Sequence, residues 1–92
     1  MIASEDLIRA YAYCSNHGRD LAADQDCGCY RCLARFRSSA ITHWLPDRHD
    51  QTALCPHCGS DSVLGASSGF PIEAEFLQAM KRFWDLDQRT GA

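Results

Sequence analysis

Two cysteine pairs carry the chemistry most readily read from this chain. Cys29-Tyr30-Arg31-Cys32 is followed, after twenty-two residues, by Cys55-Pro56-His57-Cys58-Gly59. A C-x-x-C turn places two thiolates on one side of a metal ion, and two such turns complete a tetrahedron, so Cys29, Cys32, Cys55 and Cys58 read as the ligands of one structural Zn²⁺. Gly59 lets the chain leave the second turn at positive φ, and Pro56 stiffens the turn. The separation slightly exceeds the roughly 15–20 residues usual for this pattern, which an inserted helix would accommodate. A closed shell of four thiolates has no open position for water, so the ion is expected to hold the fold and not to catalyse.

Three further residues have ligand chemistry. Cys14-x-x-His17 has ligand spacing and Cys27 stands two residues before Cys29, so Cys14, His17 and Cys27 offer a second metal site. The preferred reading is blander: Cys14 buried on a helix face, His17 at a polar helix end, Cys27 in a tight Cys-Gly-Cys turn. His43 and His49 read as solvated, while His57, inside the second knuckle, is placed to tune the thiolates without binding the ion. Cys55-Pro56-His57-Cys58 also resembles the dithiol of oxidising thioredoxin-fold enzymes, but too little chain follows it to build that fold. A hydrolytic or nuclease site would have to converge from His17, Asp61 and Ser62, with no paired His and acidic motif at helical spacing to support it. No catalytic residue is therefore assigned.

The chain that must position these groups is 92 residues long, enough for one domain over 1–92 with a core small enough to benefit from a metal staple. The stretch Met1 to Asp6 has neither a basic region nor an apolar run, and no segment approaches a membrane span. A cytoplasmic, reducing location is expected, where closely spaced cysteines serve as ligands more often than as disulfides. The formal charge is −3, to which Zn²⁺ held by four thiolates would add two further negative charges. That balance does not suggest a general nucleic-acid binder.

Apolar spacing gives the elements. Leu7, Ile8, Tyr11 and Cys14 predict an N-terminal helix within 1–18, capped by Ser4 and stopped at Asn16-His17-Gly18. Residues 19 to 28 read as a connection into the metal site. Ala34 and Phe36 alternate with Arg35 and Arg37 as a short strand, and residues 38–45 read as a middle helix ended by Pro46. Thr52-Ala53-Leu54 and Ser62-Val63-Leu64 read as an antiparallel hairpin with the second knuckle at its tip. Phe76, Leu77, Met80, Phe83 and Trp84 share one face of a C-terminal helix over 72–86. The predicted fold is thus a small α+β zinc-stabilised domain, its 27–64 core made of short hairpins carrying two knuckles and packed by N-terminal, middle and C-terminal helices.

In its order of C-x-x-C, strand, C-P-x-C-G, strand and helix, the chain resembles the zinc-ribbon and treble-clef group over roughly residues 27 to 86. That group implies a scaffold and no single activity. Here the helix between the knuckles is extra, and the final helix starts well beyond Cys58, where a treble clef would begin it. More narrowly, Cys27-Gly28-Cys29-Tyr30-Arg31-Cys32, Thr52-Ala53-Leu54-Cys55-Pro56-His57-Cys58-Gly59, Asp61-Ser62-Val63 and Ser68-Gly69-Phe70-Pro71-Ile72 resemble a family of small bacterial cytoplasmic proteins of unassigned function.

The expected function is a non-catalytic, protein-binding role as adaptor, regulator or immunity-type protein. The aromatics Tyr11, Tyr13, Trp44, Phe70 and Trp84 exceed what so small a core readily encloses. The alternative is nucleic-acid binding through Arg31, Arg35 and Arg37 at the exit of the first knuckle. The identity of the partner and the oligomeric state are not encoded in any motif.

Overall fold

In the computed structural model, which describes residues 2–90 and of these 85–90 by backbone alone, one small sheet separates two apolar clusters. Helix α1 (Ser4–Tyr11) runs into a 3₁₀ turn (Ala12–Cys14). Strands β1 (Asp26–Cys29) and β2 (Arg35–Arg37) flank the first knuckle. A 3₁₀ turn (Ser38–Ala40) leads to β3 (Trp44–Pro46) and β4 (Gln51–Ala53). The second knuckle precedes β5 (Val63–Gly65), a third 3₁₀ turn (Ala66–Ser68) follows, and α2 (Ala74–Thr90) closes the fold. The sheet is antiparallel in the order β2-β1-β5, and β3 and β4 form a separate hairpin.

Strand β1 is the centre because its alternate residues serve different clusters. Cys27 and Cys29 face one side with Val63, Ile41, Ala53, Cys55 and Leu21. Gly28, paired with Leu64, faces the other, where Leu7, Ala10, Cys14, Tyr30, Phe76, Leu77 and Met80 pack between the helices. A Cβ at Gly28 would lie 2.6 Å from Leu77 Cδ1, so glycine is what lets α2 settle directly on the strand.

Several expectations are corrected. Residues 19 to 28 are not merely a connection, since they end in the central strand, and Cys27 is fully buried in that strand and not in a turn. The middle helix is absent: residues 38–40 make one 3₁₀ turn, and Trp44-Leu45-Pro46 is extended. Its start is diverted because the Ser38 amide donates to the Gln25 carbonyl and its hydroxyl accepts from the Gln25 amide, while Ile41 is already extended. The hairpin expected around the second knuckle does not form either. Cys55 N–H does reach Ser60 C=O, but the arms then part, β4 pairing with β3 and β5 with β1.

The helices at each end are present with altered detail. Ala3, not Ser4, is the N-cap of α1, and it makes no side-chain cap bond. The buried stripe is Leu7, Ala10 and Cys14, which leaves Ile8 and Tyr11 outside. Helix α2 extends beyond the predicted 72–86 at its C-terminal end and buries Phe76, Leu77 and Met80, with Phe83 and Trp84 half-buried. Residues 1, 91 and 92 of the expected 1–92 domain lie outside the described residues.

Candidate metal centre

The four cysteines of the two knuckles meet, their sulfurs all lying within 4.8 Å of one another. Four sulfurs held about 2.3 Å from one ion at tetrahedral corners would stand about 3.8 Å apart. Cys29 to Cys58 and Cys32 to Cys55 are each 3.7 Å, so the cluster fits one metal ion, and all four cysteines are free of disulfide bonds. Cys29 and Cys55 are buried, while Cys32 and Cys58 face solvent. Among the described residues, this is the one group of His, Cys, Asp and Glu side chains gathered closely enough to hold an ion.

The two knuckles repeat one backbone design. Leu33 N–H donates to Cys29 C=O at 2.8 Å and Gly59 N–H to Cys55 C=O at 2.9 Å; Cys29 N–H reaches Ala34 C=O and Cys55 N–H reaches Ser60 C=O. The amides of His57 and Cys58 approach Cys55 Sγ at 3.3 and 3.5 Å, as those of Arg31 and Cys32 approach Cys29 Sγ. Amide dipoles aimed at sulfur favour the charged thiolate that a metal requires.

Repetition extends to the left-handed residue after each second cysteine, Gly59 at φ 79° and Leu33 at φ 67°. Leucine there is strained, but its side chain packs against the helical cluster, which offsets the backbone cost. At Gly59 an added Cβ would meet nothing within 4 Å. Gly59→Ala is therefore expected to destabilise the metal-loaded chain by about 1 kcal/mol from backbone strain alone, measurable by denaturant titration at saturating metal.

The sulfurs differ in their readiness to ionise. Burial pushes the Cys29 thiol up to about 12 despite the amides aimed at it, and burial also raises Cys32. At Cys58 the effect of burial is outweighed by the Ser60 hydroxyl and amide and by the Cys29 and Cys32 thiols, which hold it at about 7. Ser60 Oγ stands 3.1 Å from Cys58 Sγ and 3.6 Å from Cys29 Sγ. Its role was not apparent from sequence, although its position two residues after a ligand was the available signal. His57 lies exposed at the second knuckle with its ring 5.8 Å from Phe36.

The other candidate ligands are dispersed. Cys14 packs on the helical side of β1, where its thiol donates to Ala10 C=O at 3.6 Å, and Cys27 on the opposite side. His17 is not a helix end exposed to solvent but is 2% exposed, with both nitrogens engaged. Ala53 N–H donates to its Nε2 at 3.0 Å, so Nδ1 carries the proton and donates to Tyr13 C=O at 2.7 Å. Neither nitrogen is left for Asp61 or Ser62, and the His17, Asp61, Ser62 constellation does not form.

Asn16-His17-Gly18 is instead a seam. His17 and Gly18 amides both donate to Gln51 C=O, Asn16 N–H to Thr52 Oγ1, and Arg19 N–H to Asp50 Oδ2. The seam fixes β4, whose next residues carry Cys55. On the other side, Lys81 Nζ on α2 donates to Arg31 C=O at 2.8 Å, steadying the first knuckle.

Fold and site together define a small α+β protein of two helices and antiparallel strands, organised around a four-cysteine cluster able to hold one metal ion. Comparison with known proteins adds no closer identity, since no family model, no curated protein and no solved structure matches the chain.

Proposed function

We propose that the chain is a non-catalytic binding module in which the four thiolates hold one structural Zn²⁺, in the manner of a zinc ribbon, and the surface engages another protein. Thiolate-only ligation with tetrahedral sulfur spacing favours zinc over the hard cations, which prefer oxygen. Reduced ligands suit a cytoplasmic compartment, and no described helix is long and apolar enough to cross a membrane.

The observation that carries the interaction reading is where apolar surface is left uncovered. Ile8, Tyr11 and Tyr13 are 53%, 49% and 44% exposed, all within one six-residue stretch of α1 and its 3₁₀ extension. Tyr11 rests on Trp84 with ring centroids 4.4 Å apart, and Tyr13 lies 6.1 Å from Phe70. Aromatics already held in place lose little freedom on binding, the property of an interface anchor. Trp44, Phe70 and Trp84 are half-buried against the clusters, so they support the tyrosines and are not themselves the surface.

A Tyr11→Ser/Tyr13→Ser chain is expected to lose its protein partner by at least about tenfold in affinity while keeping its metal content and native spectra, with a modest drop in melting temperature from the lost Trp84 and Phe70 contacts. Affinity purification of both chains from the native host, with and without nuclease treatment, followed by titration of the recovered partner, measures this. Recovery of nucleic acid alone would overturn the reading.

A second reading has its own observation. Arg31 and Arg35 have no ion-pair partner among the described residues, and the Phe36 and His57 rings lie beside this end of the sheet. Cations flanking one exposed ring, His57, and one half-buried ring, Phe36, suit single-stranded nucleic acid. Arg37 does not join them, since its guanidinium is held at 3.2 Å by Asp24 and 3.0 Å by Asp26.

A further inference from the structure

Strand β2 lies at an edge of the sheet, and the pattern of its pairing with β1 decides which backbone groups face outward. Cys29 N–H donates to Ala34 C=O at 3.0 Å and Ser38 N–H to Gln25 C=O at 2.8 Å. In the register Asp26↔Arg37, Cys27↔Phe36, Gly28↔Arg35, hydrogen-bonded pairs alternate, so Phe36 is bonded to β1 while Arg35 and Arg37 are not. The N–H and C=O groups of Arg35 and Arg37 therefore point away from β1; both groups of Arg35 and the Arg37 N–H have no partner among the described residues, while the Arg37 C=O, at the N-cap of the 3₁₀ turn, opens the bonding of that turn. Strand β5, at the opposite edge, is by contrast fully buried.

Side chains along this edge add selectivity. Arg35 has no ion pair among the described residues, whereas Arg37 is held by Asp24 and Asp26. Phe36 is half-buried between them. A concavity of about 340 Å³ lies against β1 and β2, lined by Asp26, Cys27, Arg35, Phe36, Arg37 and Ile72. Outward main-chain donors and an acceptor, one uncompensated cation and the half-buried Phe36 ring describe a receptor for an extended peptide.

We propose that β2 takes an extended segment of a partner protein as a fourth, antiparallel strand. The segment carries a carboxylate opposite Arg35, an apolar residue beside Phe36 and an uncharged residue opposite Arg37, where Asp24 and Asp26 already supply negative charge. Main-chain bonds to Arg35 and Arg37 hold it, and the cross-strand carboxylate selects it. This rests on the interaction reading but concerns a surface separate from α1.

The test is an NMR titration of the ¹⁵N-labelled, metal-loaded full chain with a capped heptapeptide centred on Thr-Val-Glu. Shifts are expected at the Arg35 and Arg37 amides, with hydrogen exchange at both slowed at least about tenfold at saturation. Methylating the peptide nitrogen that faces the Arg35 carbonyl should weaken binding by about tenfold or more. Arg35→Glu should reverse the preference toward a Thr-Val-Lys peptide, a gain that a misfolded variant would not give. No shift at Arg35 and Arg37 at millimolar peptide, or indifference to methylation, overturns the inference. Shifts confined to Ile8, Tyr11 and Tyr13 would overturn it while sustaining the α1 interface. Binding at β2 by a protein whose Tyr11→Ser/Tyr13→Ser form keeps its natural partner would sustain it and remove the α1 reading.

Discussion

Cys55→Ser is expected to leave the chain unfolded at neutral pH whether or not zinc is supplied. Cys55 is buried and its sulfur receives the amides of His57 and Cys58, so the variant loses a ligand where water cannot readily replace it. A structural zinc contributes on the order of 10 kcal/mol, comparable with the whole stability of a domain this size. Cys29→Ser should behave alike. Cys32→Ser and Cys58→Ser, at the exposed edge, should weaken zinc binding yet retain partial structure, because solvent can complete the shell. Near-ultraviolet circular dichroism and metal stoichiometry under native conditions measure both effects. A Cys55→Ser chain with native spectra and undiminished zinc would overturn the metal assignment. Removing zinc with a chelator should unfold the wild type, and the loss should come more easily in acid. Each thiol gives up its proton to bind zinc, so zinc uptake releases protons and falling pH opposes it.

His17→Ala is expected to cost roughly 2–4 kcal/mol, because it strands the Tyr13 carbonyl and the Ala53 amide in a site that is closed to water. Thermal melting of the metal-loaded variant at pH 8 measures it, and His17→Gln, able to donate and accept, should recover part of the loss. The same geometry gives a pH dependence. Burial lowers the His17 pKa below 6.5, only partly opposed by the Tyr13 carbonyl and by Asp20, Asp50 and Asp47. Between the folded value and 6.5 the unfolded chain therefore binds the extra proton. This contribution is complete above pH 6.5 and is lost as pH falls through the folded value, by at most about 1.4 kcal/mol per unit. Ring ¹⁵N shifts should show the neutral Nδ1–H tautomer predominating at pH 6.5. A ring that is mostly imidazolium at pH 6.5 would contradict the assignment.

What was legible depended on whether the signal was local. Cysteines three apart, with glycine after the second pair, announce their geometry because a knuckle is built within six residues, and all four sulfurs do converge. Helix α2 was legible for a similar reason, its apolar stripe filling one face. By contrast, the middle helix failed because two apolar residues three apart, Ile41 and Trp44, are too few to define a helical stripe, and each is packed separately by a chain that turns between them. Long-range bonds from Ser38 to Gln25 and from β3 to β4 decided that path. The expected hairpin failed because Cys55-to-Cys58 closes locally while the flanking residues find better partners elsewhere, Val63 to Gly65 on β1. His17 looked like a helix terminus because nothing in Asn16-His17-Gly18 reveals that β4 returns to meet it. The exposed Ile8 and Tyr11 show the same limit: helical phase is visible in sequence, but which side of α1 meets α2 is set by Gly28 and Leu77.

Because the two knuckles are each closed by local bonds, the long step left to folding is the loop between them. Cys29-x-x-Cys32 sits in a tight turn between β1 and β2 and can form from a short piece of chain, whereas Cys55-x-x-Cys58 must return across twenty-two residues. A zinc ion first captured by the near pair would remain half-ligated while that loop closes, at a cost that grows only slowly with loop length. The second pair then arrives already shaped like the first. Its docking lets β5 complete the sheet on which α2 takes its seat. Closing the loop between the two pairs would thus be the step that commits the chain to its native form.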